Sequence, residues 1–183
     1  MKRISSFMYV SVDGYYAGPN GEIDWFHSVE KDPDFEAMTH QQARGKSTLL
    51  MGRITYEMMK SFWPTPDAER SDPGMAEAMR NSPKIVISKS LRSLEEGPHW
   101  KNLTLLRDVS ELQPDNDITI LGSGSIVQQL TNLGRIDEYN LVIVPVVLGA
   151  GKALFKDVHR TKLQLREAKS FRNGLAFHTY SPA

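Results

Sequence analysis

Short runs of β-forming residues recur along this chain with helix-length segments between them, and that alternation narrows the choice of fold more than any other feature. "ISSFMYVSV" (4–12), "STLLMG" (47–52), "KIVIS" (84–88), "LTLLR" (103–107), "DITIL" (117–121) and "YNLVIVPVVL" (139–148) are the runs. "ITYEMMKSF" and "SIVQQLTNLG" are helical in pattern. Asp32-Pro33 marks a helix start, an N-cap acceptor followed by proline at the first helical position, with Arg44 as the last residue before Gly45. "GMAEAMRNS" (74–82) reads as a further short helix, after a polar, proline-bearing connection over 64–74. Strands alternating with helices are the mark of parallel βαβ units in an α/β domain. The chain's end differs: "KLQLREAKSF", then "RNG", then "LAFHTYS" reads as two strands joined at Asn173-Gly174, an antiparallel hairpin. The first strand is closed by the turn pair Asp13-Gly14, and "YYAGPNGEIDWF" (15–26) reads as a loop with aromatic anchors.

At 183 residues the chain suits one domain, 1–183. Lys plus Arg and Asp plus Glu both total 22, so nothing in the charge balance suggests nucleic acid or an anionic membrane as a partner. The absence of cysteine excludes disulfides, thiolate metal sites and thiol catalysis. "MKRISSFMYVSVDG" has no signal-peptide core, and no segment approaches the ~18 apolar residues of a membrane span, so a cytoplasmic protein is expected. The five histidines, at 27, 40, 99, 159 and 178, have no metal-ligand spacing, and no metal is expected.

Two glycine clusters invite a phosphate. In "DITILGSGSIVQQL" a strand runs into Gly122 and Gly124 and then a helix, an arrangement that aims backbone N–H groups and the positive end of a helix dipole at an anion. The pattern lacks the third glycine of the dinucleotide fingerprint, so a plain tight turn explains it equally. "VVLGAGKAL" fails the P-loop test, with Val146 where its first glycine belongs and Ala153 where Ser or Thr should follow Lys152, and reads as a turn at a strand end.

Four segments, "VSVDGYYAGPNGEIDW", "LLMGRITYE", "KIVISKSL" and "ITILGSGSIVQQL", occur together in an order that resembles the dihydrofolate reductase-like superfamily. "IDEYNLVIVPVVLGAGKALF" makes the chain most similar to the branch holding the reductase domain of the bifunctional riboflavin-biosynthesis deaminase/reductase. The resemblance spans nearly the whole chain. It implies a three-layer α/β/α fold of dihydrofolate reductase type, with a mainly parallel central sheet, an antiparallel C-terminal hairpin, and NADPH across the carboxyl ends of the strands. By resemblance, Gly52, Arg53 and Thr55 meet the cofactor phosphates from a helix N-terminus. Ser88, Lys89 and Ser90 border the adenosine 2′-phosphate. Gly122, Ser123, Gly124, Ser125 and Ile126 wrap the pyrophosphate from the other side, and Ala17 and Gly18 lie near the nicotinamide. A homodimer is implied in the same way. The chemistry agrees with the resemblance, since a site preferring NADP over NAD wants cations and hydroxyl donors at a strand end. Arg53 and Lys89 also fit as ordinary surface cations.

Hydride transfer asks the protein mainly for orientation and exclusion of water. The loop from Gly14 to Phe26 is the natural lid, with Tyr15, Tyr16 and Trp25 as its cover or as core packing. A proton donor is also needed. In true dihydrofolate reductases an acid about sixteen residues before the motif glycine holds the pterin, and counting back from Gly52 reaches Glu36. Glu36 also fits as a dipole-stabilising acid in the first helical turn. His40 shares its helix face and, with Trp25, is a candidate substrate contact. Asp13 is the second acidic candidate, either at the pocket edge or bonding its own turn. Without cysteine the deaminase half cannot be present. The expectation is an NADPH-dependent oxidoreductase acting on a small heterocyclic or imine-type substrate, with a 5-amino-6-(5-phosphoribosylamino)uracil-like compound ahead of dihydrofolate. The competing classes are a nucleotide-binding protein without turnover and an α/β domain whose glycines serve turns alone.

Overall fold

In a computed structural model of the protein, residues 2–27, 29–45 and 47–183 are described. The chain forms β1 (Ile4–Ser11), β2 (Tyr15–Ala17), α1 (Pro33–Ala43), β3 (Thr48–Gly52), α2 (Arg53–Phe62), α3 (Pro66–Ser71), α4 (Pro73–Asn81) and β4 (Lys84–Ile87). It continues with β5 (Leu103–Leu106), β6 (Ile118–Leu121), α5 (Gly124–Asn132), β7 (Glu138–Val144), β8 (Lys152–Ala153), β9 (Leu163–Ser170) and β10 (Ala176–Pro182). Eight strands make one sheet in the order β5-β4-β3-β6-β1-β7-β10-β9. All pairings from β5 to β7 are parallel, and β10 runs antiparallel to both β7 and β9. This is the dihydrofolate reductase-like fold. No helix among the described residues is long and apolar enough to cross a membrane.

Period-two alternation sorts the strands between two apolar layers. On β1, Ile4, Met8 and Val10 join Ile126, Val127 and Leu130 of α5, while Phe7 and Tyr9 face the other way, toward Phe35 of α1 and Phe177 of β10. Leu49 and Met51 of β3 pack with Tyr56 of α2 and Met79 of α4. β3 is covered on both faces, which is why "TLLM" reads as an unbroken apolar run. β9 is the opposite case, an edge strand exposed along nearly its whole length and studded with charge.

Two stretches read as irregular from sequence are structured. Within 64–74, Pro66–Ser71 is helical, with the Thr65 hydroxyl accepting from the Ala68 N–H at 3.3 Å. Thr65-Pro66 carries the same start signal as Asp32-Pro33, so the signal was present and outweighed by the prolines. Inside the aromatic loop, β2 pairs with β8, tying Tyr15 to Ala153 and Ala17 to Lys152. That pairing joins segments over 130 residues apart, and nothing local announces it. "YNLVIVPVVL" stops as a strand at Val144, because Pro145 has no N–H for the ladder.

Candidate functional site

The parallel strands end along one edge of the sheet, and there two adjacent strands, β3 and β6, hand directly into helices. Five α-helices are found among the described residues. Three have a side chain capping the first turn: Asp32 on α1, Thr65 on α3 and Asp72 on α4. α2 and α5 have none. The N-cap of α2 is Gly52, which has no side chain to offer. The N-cap of α5 is Ser123, whose hydroxyl is turned away to accept from the Gly52 N–H at 2.8 Å and to donate to the Leu121 carbonyl at 3.0 Å. The positive ends of two helix dipoles therefore meet at neighbouring strand ends without a side-chain acceptor.

The expected residues divide into builders of this corner and groups that face it. Thr55 is buried, with its hydroxyl 3.3 Å from the Gly122 carbonyl and 3.1 Å from Ser123 Oγ, so it clasps the two turns together. Gly122 has φ +57°, a left-handed conformation that glycine adopts without strain. Ile126 is core, packed under the helix start. Gly124 has a requirement the sequence did not disclose. A Cβ built there would fall 2.3 Å from the ring of Tyr16, so the glycine lets the β2 tyrosine lie against the first turn of α5. Ser125 beside it is exposed.

At the end of β4, Ser88 is buried and its hydroxyl accepts from the N–H groups of Ser90 (3.3 Å) and Leu91 (3.1 Å), which holds the turn in shape. Lys89 and Ser90 are exposed on that turn, with the Lys89 amine 3.6 Å from Asp108. Arg53, the first residue of α2, reaches Glu57 at 3.1 Å across one exposed helical turn. Such exposed pairs contribute little and part readily, so both cations are free to take another anion. Arg107, which the sequence reading passed over, donates to the carbonyls of Ser88 (3.0 Å) and Arg92 (3.4 Å) and also to that of Leu91. Its position directly after a strand run was the available signal.

The lid is anchored from both ends. The Gly18 N–H donates to the Glu22 carbonyl at 2.9 Å, and so does the Trp25 indole N–H at 3.1 Å. Ala17 is buried in β2, and a Cβ on Gly151 would fall 2.3 Å from the Ala17 carbonyl oxygen. "GAGK" is thus a seat for the lid strand. Trp25 stands edge-on to Phe26 at 5.2 Å, against the apolar layer that includes Phe35.

The two acidic candidates and the candidate substrate contact His40 have other partners. Asp13 accepts from the Ser11 hydroxyl (2.6 Å) and the N–H groups of Leu148 (3.1 Å) and Gly149 (2.8 Å), tying the end of β1 to the turn after β7. The Ser11 hydroxyl and those two N–H groups hold its carboxyl below the usual carboxylate range, so at neutral pH it is ionised and has no proton to give. Of the two roles the sequence leaves open, these contacts favour Asp13 as a structural tie. His40 leaves the site altogether, with Nε2 2.8 Å from Asp72 at the start of α4, joining two helices. Glu36 lies on the flank of α1, 3.7 Å from Lys31, and the α1 side chains that pack against the sheet are Phe35 and Met38. The helix turn that places Phe35 inward turns its neighbour Glu36 aside.

Residues 2–177 match the family model described as the RibD C-terminal domain. The chain is 30% identical over 182 residues to the uncharacterized protein YyaP of Bacillus subtilis (strain 168), covering 98% of this chain and 94% of that one. Among solved structures it is similar to a putative riboflavin biosynthesis protein from Shewanella sp. PV-4, with TM-score 0.74, 23% identity and 99% of each chain covered. It is also similar to a diaminohydroxyphosphoribosylaminopyrimidine deaminase/5-amino-6-(5-phosphoribosylamino)uracil reductase from Thermotoga maritima, with TM-score 0.68 and 13% identity. That match covers 100% of this chain and 57% of the Thermotoga chain.

Proposed function

We propose, from the premise that this chain belongs to the RibD C-terminal domain family, that it is an NADPH-dependent reductase of a small heterocyclic or imine-type substrate. The observation that carries the reading is the meeting of two uncapped helix starts, α2 and α5, beside Gly52, Gly122 and Gly124. A dinucleotide diphosphate supplies the acceptors that these N–H groups lack. Arg53, Lys89 and Ser90 flank the same edge and suit a 2′-phosphate, while Ser88 and Arg107 hold the turn that presents two of them.

NADPH, when bound, supplies the hydride. The chain's part is to hold it and keep water away: Ala17, Gly18 and Trp25 belong to a lid pinned by β8, and Tyr16 packs that lid onto α5. Proton delivery falls to an ordered water or the substrate's own solvent contact, since Asp13 is ionised and Glu36 lies aside on α1 beside Lys31. A 5-amino-6-(5-phosphoribosylamino)uracil-like compound is the leading substrate, because the Thermotoga enzyme of the same fold is named for reducing it. Calorimetric titration with NADPH and NADH tests the cofactor. NADPH should bind at least tenfold more tightly than NADH, roughly the worth of one charge-assisted contact. Binding of neither nucleotide would sink the reductase reading.

A further inference from the structure

α5 begins at the glycine turn, and one of its faces is given over to the lid. Gly124, Gln128 and Asn132 stand four residues apart and so share one stripe along the helix. At the first position the ring of Tyr16, from lid strand β2, lies against Gly124. One turn on, the Gln128 amide donates to two successive carbonyls, those of Ala153 and Leu154, both at 3.1 Å. At the last position the Asn132 side chain donates to the Asp157 carbonyl (3.1 Å) and accepts from the His159 N–H (2.8 Å). The stripe therefore grips β2 at its start, β8 in its middle and the segment after β8 at its end.

The lid ribbon depends on such a grip. β2 and β8 hold three and two residues, form a sheet of their own and shift register between Tyr15 and Ala17. A lone two-stranded ribbon is marginal in water, so its closure is decided by what it is fastened to. The Leu154 N–H donates to the Gly14 carbonyl at 3.0 Å, which ties β8 to the turn before β2 and stays within the ribbon. Gln128 ties it to a helix. Asn132 is exposed and Gln128 half-buried, so water replaces the bonds of Asn132 more readily than those of Gln128.

We propose that Gln128 is the positioning residue that couples the lid to the start of α5. Through the Ala153 and Leu154 carbonyls it fixes the separation between the N–H groups that receive the diphosphate and the Ala17–Gly18 segment that covers the cofactor, so cofactor binding and lid closure favour each other. The ligand here is the one the reductase reading supplies, and the coupling rests on that reading. Gln128 needs no contact with the cofactor, because a cofactor held at both places spans the two parts that Gln128 joins. Linkage makes the effect reciprocal: what weakens closure also weakens binding.

The test compares wild type with Gln128→Met, which keeps the length and helix propensity and removes the donor, and with Gln128→Lys, which restores a donor. Hydrogen exchange at residues 15–17 and 152–154 is followed with and without saturating NADPH, and calorimetry gives NADPH affinity. In free Gln128→Met the ribbon should exchange about tenfold faster, while β1 and β7 exchange as in wild type. NADPH should slow ribbon exchange at least about tenfold in wild type and less than about threefold in Gln128→Met, and should bind the variant about threefold more weakly. Gln128→Lys should recover most of the protection. Faster ribbon exchange in Gln128→Met with NADPH protection as large as in wild type would reduce Gln128 to a structural tie and overturn the coupling, as would equal exchange in all three proteins. If NADPH binds wild type without slowing ribbon exchange, the coupling falls and the cofactor reading stands. If NADPH does not bind wild type, the cofactor reading falls and takes the coupling with it.

Discussion

Lys84 at the start of β4 and the glycine turns at the ends of β3 and β6 occupy opposite edges of one sheet, and they treat polar groups in opposite ways. Lys84 is fully buried, yet its amine donates to the carbonyls of Arg80 (3.1 Å), Ser82 (2.7 Å) and Lys101 (3.3 Å) and lies 4.4 Å over the Trp100 ring. The buried charge there is fully surrounded by acceptors, and the one donor beside it without a partner among the described residues is the buried Trp100 indole N–H. At the other edge, α2 and α5 begin without a side-chain cap, and among the described residues the partly exposed hydroxyls of Tyr9, Tyr15 and Tyr16 bond no protein group. The first edge encloses its charge among protein acceptors, which serves stability, and the second leaves helix-start donors without a side-chain acceptor, which suits a ligand.

Breaking the saturated edge should give the largest effect. Lys84→Ala leaves three carbonyls and a cavity behind, and chemical denaturation should show a loss on the order of 3 kcal/mol. NADPH binding in the surviving folded protein should be unchanged, because the two edges share no partner.

Gly151→Ala should come next, at about 1 to 3 kcal/mol, because its Cβ would overlap the Ala17 carbonyl and prise β2 from β8. Hydrogen exchange should localise the damage to residues 15–17 and 152–153.

Arg53→Ala sharpens the comparison from the open side. Stability should move by no more than about 0.5 kcal/mol, since its ion-pair partner among the described residues is exposed Glu57, while NADPH affinity should fall roughly tenfold. A protein stabilised by Arg53 and indifferent to it in binding would reverse the assignment of the two edges.

The smallest effect is one of pH. Burial holds the Lys84 amine down to about 8, below its ordinary 10.5, so the unfolded chain binds that proton more tightly. Stability should therefore rise with pH from about 8 toward 10.5 in wild type, and Lys84→Met should flatten the rise. Tyr9 works in the other direction only above about pH 10, because its raised phenol pKa favours the folded state until the unfolded phenol begins to ionise. Melting curves between pH 7 and about 9.5 keep the two apart.

Much of the fold was legible in the residues because its signals are local. Asp32-Pro33 and Asp72-Pro73 cap helices as their types require, and the Asn173-Gly174 turn closes the hairpin with Gly174 at φ +88°. The motif glycines were placed at a common edge by resemblance, and the strand order brings Gly52 and Gly122 together there. Roles of individual side chains were less legible. Asp13 and Glu36 are plausible proton donors and His40 a plausible substrate contact by type and spacing, and each finds its partner in a residue that spacing does not reveal: Gly149, Lys31 and Asp72.

By itself the sequence determined the order of the main strands and helices and several of their starts, because caps, prolines, glycines and apolar periods act over a few residues. Only the tertiary structure decided which strand ends lie side by side, that Tyr16 rests on Gly124, that β8 seats the lid, and which tyrosines lack a partner. Those outcomes depend on contacts between residues 71 or more positions apart, whose closure is settled by the packing of the whole sheet rather than by any local preference.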